Sequence, residues 1–460
     1  MLREEGDIPS QTEVLVLGAG IAGHSAALEA ADAGAQVLLL EKNAQPGGSS
    51  GIAGGAFAFC GTDEQIASGR HDSVEAFRRD LMAAGKGTNS PELVEAFLDD
   101  QHDTYKFLKE RGVRFELSSQ QFRWHWTGTG RAVSRLHAVV RAHPNITFFS
   151  KSAAIRLERS RERRRVTGAE IYFGDRLVDV AASRAVVLAT GGFSRSKELV
   201  KIFAPELAAS ISHGGVANTG DGFLMASDLG ASHMDIGYVR GSFNGAIRNY
   251  PDTVTGADEL PPLLISYLDG GIMVNKDAVR FTNEGRNYKE LSSIGMEQPG
   301  GIGFQIFDSK LFGKTTEDSS VNNYGEGLVG GYLKQADTIA GIAEHMRLDA
   351  AVLQKTIERY NADVRNGADQ EFGRTLNLVT IEDGPFYIAA TANVLTSTYG
   401  GIATNGDMAV IDWFGEPIEG LFAAGELVGG FHGAGYYSAS SLSSSATFGR
   451  RAGRNAAKTG

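Results

Sequence analysis

Glu13-Val14-Leu15-Val16-Leu17-Gly18-Ala19-Gly20-Ile21-Ala22-Gly23 decides how the rest of this chain is read. The apolar run at 13–17 predicts a short strand, and three glycines in a G-x-G-x-x-G spacing make the turn after it. An alanine-rich helical pattern follows to about residue 33, then Gly34, then a second strand at 36–40 that ends on Glu41. Strand before, helix after and acid at the end of the next strand are the context in which such a turn binds a dinucleotide. Gly18 allows the tight turn, Gly20 lets a pyrophosphate approach the backbone, and Gly23 lets the helix pack on the sheet. The helix N-terminus offers free N–H groups and a positive dipole end to the phosphates. Glu41, followed by Lys42, is placed to accept a hydrogen bond from a ribose hydroxyl.

A second run of small residues, Gly47-Gly48-Ser49-Ser50-Gly51 with Gly54-Gly55, comes directly after that strand. A nicotinamide-binding chain would continue into another helix here. A flavin extends away from the first loop, and small or hydroxyl residues let its ring lie on the backbone. Non-covalent FAD is therefore the expected cofactor. Ala189-Thr190-Gly191-Gly192 and Ala424-Gly425-Glu426, each at the end of an apolar run, supply further contact regions. His24 is expected to pack near the turn rather than bond the flavin covalently.

Composition narrows the class. A chain of 460 residues exceeds one ordinary core, and 59 glycines imply many tight turns and close backbone approaches. The formal net charge of −11 argues against nucleic acid, which needs concentrated cations. The one basic run, 159–165, is broken by Ser160 and Glu162 and reads as a solvated turn. With Cys60 as the sole cysteine, intrachain disulfides and iron–sulfur ligation are excluded, and no His/Asp/Glu group has metal spacing. No apolar run is long enough to span a membrane, and residues 1–12 are polar, so a cytoplasmic setting is the expectation.

Strand-like segments at 146–149, 169–173 and 185–189 continue the nucleotide-type pattern, with helix signals between 72 and 111. The character changes near residue 231. The expected organisation is an α/β Rossmann-type FAD-binding domain at 1–234 and 384–460, with an inserted α+β substrate cap at 235–383. The cap carries two strand candidates, 271–275 and 303–307, and helices near 336–344 and 350–359. A strand at 420–424 and a final helix starting near Ser441 close the chain.

Taken in order, the first glycine turn, Gly47 to Gly55, Thr190-Gly191-Gly192, Asn218-Thr219-Gly220-Asp221-Gly222 and Leu421 to Glu426 resemble the fumarate reductase and 3-ketosteroid dehydrogenase flavoproteins. The resemblance spans essentially the whole chain. It implies a discontinuous FAD domain contacted also by Ala154, Asp221, Gly425, Glu426, Ser441 and Leu442, with an active site under the cap. At three points this chain departs from the fumarate reductase pattern. Ser397 stands where that group carries a histidine before Gly400-Gly401, Tyr288 where it carries a cap arginine, and Tyr436 where it carries a C-terminal arginine. Two guanidinium forks for a dicarboxylate are thus missing.

Hydroxyls replace them. Tyr436-Tyr437-Ser438-Ala439-Ser440-Ser441-Leu442, running on to Phe448-Gly449-Arg450-Arg451-Ala452-Gly453, resembles the 3-ketosteroid dehydrogenases that form a double bond between carbons 4 and 5. By position, Tyr436, Ser438 and Tyr288 match that group's site hydroxyls, whereas Ser443-Ser444 replaces its Gly-Asp pair. Taking a hydride from the carbon β to a ketone, and a proton from the α carbon, builds negative charge on the carbonyl oxygen. A phenol donor at that oxygen stabilises the transition state. The expectation is that Tyr436 polarises the ketone, Ser438 and Tyr288 relay the α proton, and the hydride goes to flavin N5.

The implied partners are a small cyclic ketone and a separate electron acceptor. A ketosteroid is most directly implied; 4-oxocyclohexanecarboxylate, an enone or fumarate-type reduction, a non-catalytic flavin protein and an NAD enzyme are the alternatives. Trp124-His125-Trp126 reads equally as a pocket wall or as packing. Arg248, Arg280 and Arg286 in the cap are of a kind that binds a substrate carboxylate, but surface placement is the expectation.

Overall fold

The computed structural model describes residues 7–119, 121–160, 162, 165–251, 260–286, 290–315 and 321–460. It divides into two compact units, one of residues 1–206, 214–239 and 397–460, the other of residues 207–213 and 240–396.

The first unit is built on an eight-stranded sheet. Its strands run in the order Ala409–Ile411, Pro417–Ala423, Arg176–Leu188, Gln11–Leu17, Val37–Leu40 and Ile146–Phe149. Neighbours from Pro417–Ala423 to Ile146–Phe149 are parallel, with Val14 beside Val37 and beside Ala185. Two further strands, Ser152–Arg159 and Val166–Phe173, extend antiparallel from Arg176–Leu188. Val14, Leu15, Val16 and Leu39 are wholly buried, as strands covered on both faces require. Each such side chain contributes about 1.5–3 kcal/mol of burial. The helix Ile21–Asp32 packs against the last helix, Ser440–Lys458, at small residues: a Cβ on Gly449 or Gly453 would overlap the carbonyl of Ala22 or Ala26.

The second unit has a six-stranded sheet in which the long strand Phe386–Thr398 pairs with Ile302–Asp308, Ile211–Ser212, Lys334–Ala336 and Val239–Ala246. Helices Ile339–Met346 and Ala350–Arg365 cover it through Ile342, Leu353, Ile357 and Tyr360, packed with Phe304, Ile306 and Ile388. The second unit reaches beyond Asp383 to Thr396 because that long strand is the one most others pair with. Residues 207–213 join it for the same reason, Ile211 lying beside Val394.

The α/β architecture with its parallel sheet is as the sequence predicts. Among the described residues no helix is long and apolar enough to cross a membrane.

Candidate functional site

The glycine turn lies where the strand Gln11–Leu17 hands over to the helix Ile21–Asp32. Gly23 is there by necessity, since a Cβ on it would overlap the carbonyl oxygen of Gly18. Gly20 is the N-cap of the helix and gives it no side-chain cap. The turn is tied to the second small-residue loop: Gly47 N–H donates to the Ala19 carbonyl at 2.9 Å, and Ile21 N–H donates to Ser50 Oγ at 3.2 Å. Ser49 Oγ accepts from Gly215 N–H at 3.0 Å. A Cβ on Gly48 or Gly51 would meet nothing within 4 Å, so this face of the loop is open. Gly54 and Gly55 lie against the hairpin of Trp126 and Gly128.

Glu41 is buried, with Oε2 accepting from Ala19 N–H at 3.0 Å and Oε1 from Asn43 N–H at 2.9 Å. Lys42 Nζ donates to Asp221 Oδ2 at 2.7 Å and to Thr219 Oγ1 at 2.6 Å. Thr190, Gly191 and Gly192 follow the strand Arg176–Leu188, and the Thr190 hydroxyl is buried without a partner among the described residues. Glu426 gathers this side together: Asn218 Nδ2 donates to it at 2.9 Å and Thr398 N–H at 3.0 Å. Burial pushes its carboxyl pKa up, against those hydrogen bonds. Ala154 lies opposite Ile171 on the strand Ser152–Arg159, whose Ser152 N–H donates to the Glu41 carbonyl at 2.8 Å.

An uncapped helix end, an open loop of small residues and an unpartnered buried hydroxyl fit a dinucleotide with its pyrophosphate at the helix start. His24 has both ring nitrogens engaged, Nδ1 with the Gly20 carbonyl at 2.8 Å and Nε2 with His137 at 3.1 Å.

The hydroxyl cluster is in the same unit. Tyr436 precedes the helix Ser440–Lys458, and its phenol oxygen is folded back onto the helix start. Ser441 Oγ donates to it at 3.1 Å, and the backbone N–H groups of Ala439 and Ser441 also hydrogen-bond it. Burial raises the phenol pKa, and these three donors oppose the rise. Tyr399 stacks flat on the Tyr436 ring, and His432 lies 5.2 Å from Tyr399 and 5.4 Å from Tyr436, ring centre to ring centre. From sequence His432 reads as a neighbour of the reactive segment or a residue that satisfies backbone groups, whereas Tyr399 carries no signal of its own beyond the Gly400-Gly401 turn beside it. Ser438 is half-buried, and its hydroxyl has no hydrogen bond among the described residues, so no bond joins it to Tyr436. Leu442 is buried in the first turn of the helix. Tyr288 lies outside the described residues.

The next residue, Tyr437, is held differently. Its hydroxyl accepts from Arg123 at 3.1 Å, and Arg123 is paired with Asp72 at 2.6 Å and Asp80 at 2.6 Å. The neighbouring Trp124-His125-Trp126 is a strand in which His125 is wholly buried and bonded to Thr62 at 2.7 Å, while Trp126 is exposed.

In the second unit Arg280 is not at the surface. It is wholly buried, bidentate to Glu284 at 2.9 and 2.7 Å, and bonded to Asp369 at 2.9 and 3.0 Å. Arg374 supports the same cluster, 3.6 Å from Glu284. Arg248 and Arg286 are exposed as expected.

Residues 13–442 match the FAD binding domain family. The chain belongs to this family. It is 33% identical to the probable fumarate reductase Ifc3 of Shewanella frigidimarina, over 98% of this chain and 76% of that one. The open conformation of a flavocytochrome c3 fumarate reductase superposes with a TM-score of 0.83 at 31% identity, covering 98% of this chain and 78% of that chain. The 3-ketosteroid-delta4-(5alpha)-dehydrogenase of Rhodococcus jostii RHA1, in complex with 4-androstene-3,17-dione, superposes with a TM-score of 0.75 at 25% identity, covering 99% and 98%. FAD is accordingly the cofactor, and the chain is an FAD-dependent oxidoreductase acting on carbon–carbon single or double bonds.

Proposed function

We propose that the chain desaturates a cyclic ketone next to its carbonyl, as the 3-ketosteroid dehydrogenases do. The observation that carries this reading is the Tyr436 phenol, uncharged by burial yet polarised by three donors at a helix start. The positive end of that helix helps an O–H that leans towards giving up its proton. Such a group suits a ketone oxygen gaining negative charge, at which a donor is worth a factor of about 10²–10³.

Gly18, Ala19, Gly20, Ile21, Ala22 and Gly23 would hold the FAD pyrophosphate, Glu41 and Lys42 the ribose side. Gly48, Ser49, Ser50, Gly54, Gly55, Ala154, Thr190, Gly191, Gly192, Asp221, Gly425, Glu426, Ser441 and Leu442 would line its remainder. Bound FAD supplies the two-electron acceptor for the hydride. Tyr436 donates to the carbonyl, stacked on Tyr399 so that its ring plane is fixed. Ser438 and Tyr288 take the α proton outward. The second unit serves as the substrate cap, and a separate acceptor in a cytoplasmic setting reoxidises the enzyme.

A second reading, reduction of the double bond of an unsaturated acid, is favoured by the names of the fumarate reductase relatives. Against it, Arg123 and Arg280 are spent on internal carboxylates. Anaerobic titration of the yellow holoenzyme decides. Bleaching by a saturated cyclic ketone supports the proposal; reoxidation of the dithionite-reduced enzyme by fumarate, with no bleaching by any ketone, overturns it.

A further inference from the structure

Residues 430–437, which carry Tyr436, belong to no helix or strand. Without a ladder of their own, their backbone groups must be held by something else. In the first unit that holder is the loop Gly85–Ser90, between the helices Val74–Ala84 and Pro91–Glu110. Ser90 N–H donates to the Gly430 carbonyl at 2.8 Å. Asn89 Nδ2 donates to the Phe431 carbonyl, also at 2.8 Å. Thr88 Oγ1 accepts from Ala434 N–H at 2.8 Å while it donates to the Gly85 carbonyl at 2.9 Å. The two loops approach so closely that a Cβ on Gly435 would overlap the Ala84 carbonyl oxygen.

The same two helices fasten the segment at both ends. The Phe431 ring lies 5.1 Å from that of Phe97, and the Tyr437 ring 5.4 Å from that of Phe77, centre to centre. Tyr436 stands between these anchors, so the path of the segment decides where its phenol sits. Thr88 is exposed and Asn89 is buried. Beyond the helix and loop they belong to, the side-chain hydrogen bonds of both go only to this segment among the described residues.

We infer that Thr88 and Asn89 are positioning residues, which fix the backbone of 430–436 and through it aim the Tyr436 phenol. They exchange no proton with the substrate. Their effect is geometric: an oxyanion donor works only where the charge develops, and a misplacement of about 1 Å can cost about a hundredfold in rate. The inference rests on the reading in which Tyr436 donates to the ketone oxygen, and it names what holds that donor in place.

The test uses the FAD-loaded enzyme and two readouts. Thr88→Val removes the hydroxyl at nearly constant volume, Thr88→Ser keeps it, and Asn89→Asp turns the donor towards Phe431 into an acceptor. On a ketone that bleaches the flavin, kcat should fall about fivefold in Thr88→Val and about tenfold in Asn89→Asp, with KM within about twofold. Thr88→Ser should restore the rate. In a Tyr436→Phe background, Thr88→Val should change the residual rate by less than about twofold, because the two act through one group. Should the buried Asn89→Asp fail to fold, the exposed Thr88→Val carries the test alone. A normal kcat in Thr88→Val, the same loss in the Tyr436→Phe background, or no rescue by serine overturns the inference.

The second readout needs no turnover. Amide hydrogen exchange over residues 436–442 reports the N–H groups of Ala439 and Ser441 that bond the Tyr436 phenol. It should be about tenfold faster in Thr88→Val and native in Thr88→Ser, as loss of one hydrogen bond allows. Faster exchange there, with no ketone bleaching the flavin, supports the clamp and ends the cyclic-ketone reading. Native exchange in Thr88→Val, with the flavin bleached by a ketone, overturns the clamp alone.

Discussion

The rings of Tyr399 and Tyr436 lie face to face, centroids 5.6 Å apart and planes 6° from parallel. Tyr399 is fully buried, and its N–H donates to Tyr238 at 3.0 Å, so it is the fixed member of the pair. Removing the hydroxyl and removing the platform should therefore differ. Tyr436→Phe should lower turnover about a hundredfold or more with the FAD spectrum intact, as loss of an oxyanion donor does. Tyr399→Leu keeps the hydroxyl but frees its ring, and about a tenfold loss in kcat is expected. Equal losses in steady-state assays would mean that the stack, not the phenol, matters.

The Tyr436 phenol also predicts a pH limb. Its pKa in the folded chain is raised by burial. The protonated donor is then fully present at neutral pH and is lost only as pH climbs beyond the ordinary phenol value of about 10. Linkage has the same sign: stability from this group is complete below that value and falls as pH rises through the higher folded one. A kcat profile that declines between neutrality and about pH 9, and still does so in Tyr436→Phe, would assign the limb to another group.

Packing gives a prediction at the nucleotide turn. A Cβ at position 23 has nowhere to go but into the Gly18 carbonyl. Gly23→Ala should yield protein that is colourless or has a lowered Tm, read by the ratio of flavin to protein absorbance. Full flavin content at wild-type Tm would show that the turn can shift to admit a methyl group.

What could be read in advance was local and periodic. The glycine turn, the acid at the end of the second strand and the start of the last helix near Ser441 depend on residues close in sequence, where sterics leave few choices. The stack of Tyr399 on Tyr436 depends on two chain segments meeting, and nothing in either segment's spacing encodes it. Arg280 illustrates the same limit. Its near partner Glu284 is visible at helical spacing, but Asp369 belongs to a distant stretch, and only the fold shows that the two acids enclose the guanidinium. The strand Phe386–Thr398 was hidden because its apolar run resembles any buried segment until its partners are known.

That enclosed arginine is expected to hold the second unit together. Arg280 is fully buried, with both Glu284 and Asp369 bonded to it, and Met273 N–H also donates to Glu284 at 3.1 Å. Arg280→Met removes the guanidinium bonded to both buried carboxylates and leaves Glu284 only Arg374, at 3.6 Å, a change worth about 3–5 kcal/mol. The Tm should fall by several degrees while purified protein stays yellow, because no FAD-contacting group has been altered. An unchanged melting curve would mean that the acids take up protons at little cost.

The His24–His137 pair makes the nucleotide turn sensitive to acid. His24 is wholly buried beside Gly20, and burial, with His137 adding a smaller push, lowers its pKa from 6.5 to about 4. His137 is itself lowered by burial and by Arg141. Because the folded value is depressed, the neutral imidazole is the form that folding favours. Its stabilisation is complete above the unfolded value and is lost as pH falls from about 6.5 towards 4, a total of about 3 kcal/mol at one unit per 1.36 kcal/mol. Holoenzyme Tm should therefore drop more steeply between about pH 7 and pH 4.5 in the native chain than in His24→Leu, which has no proton to gain there. Since the Gly20 carbonyl is the partner of Nδ1, FAD release should follow the same curve, measured as free flavin fluorescence. Parallel slopes in the two proteins would move the acid sensitivity away from this pair.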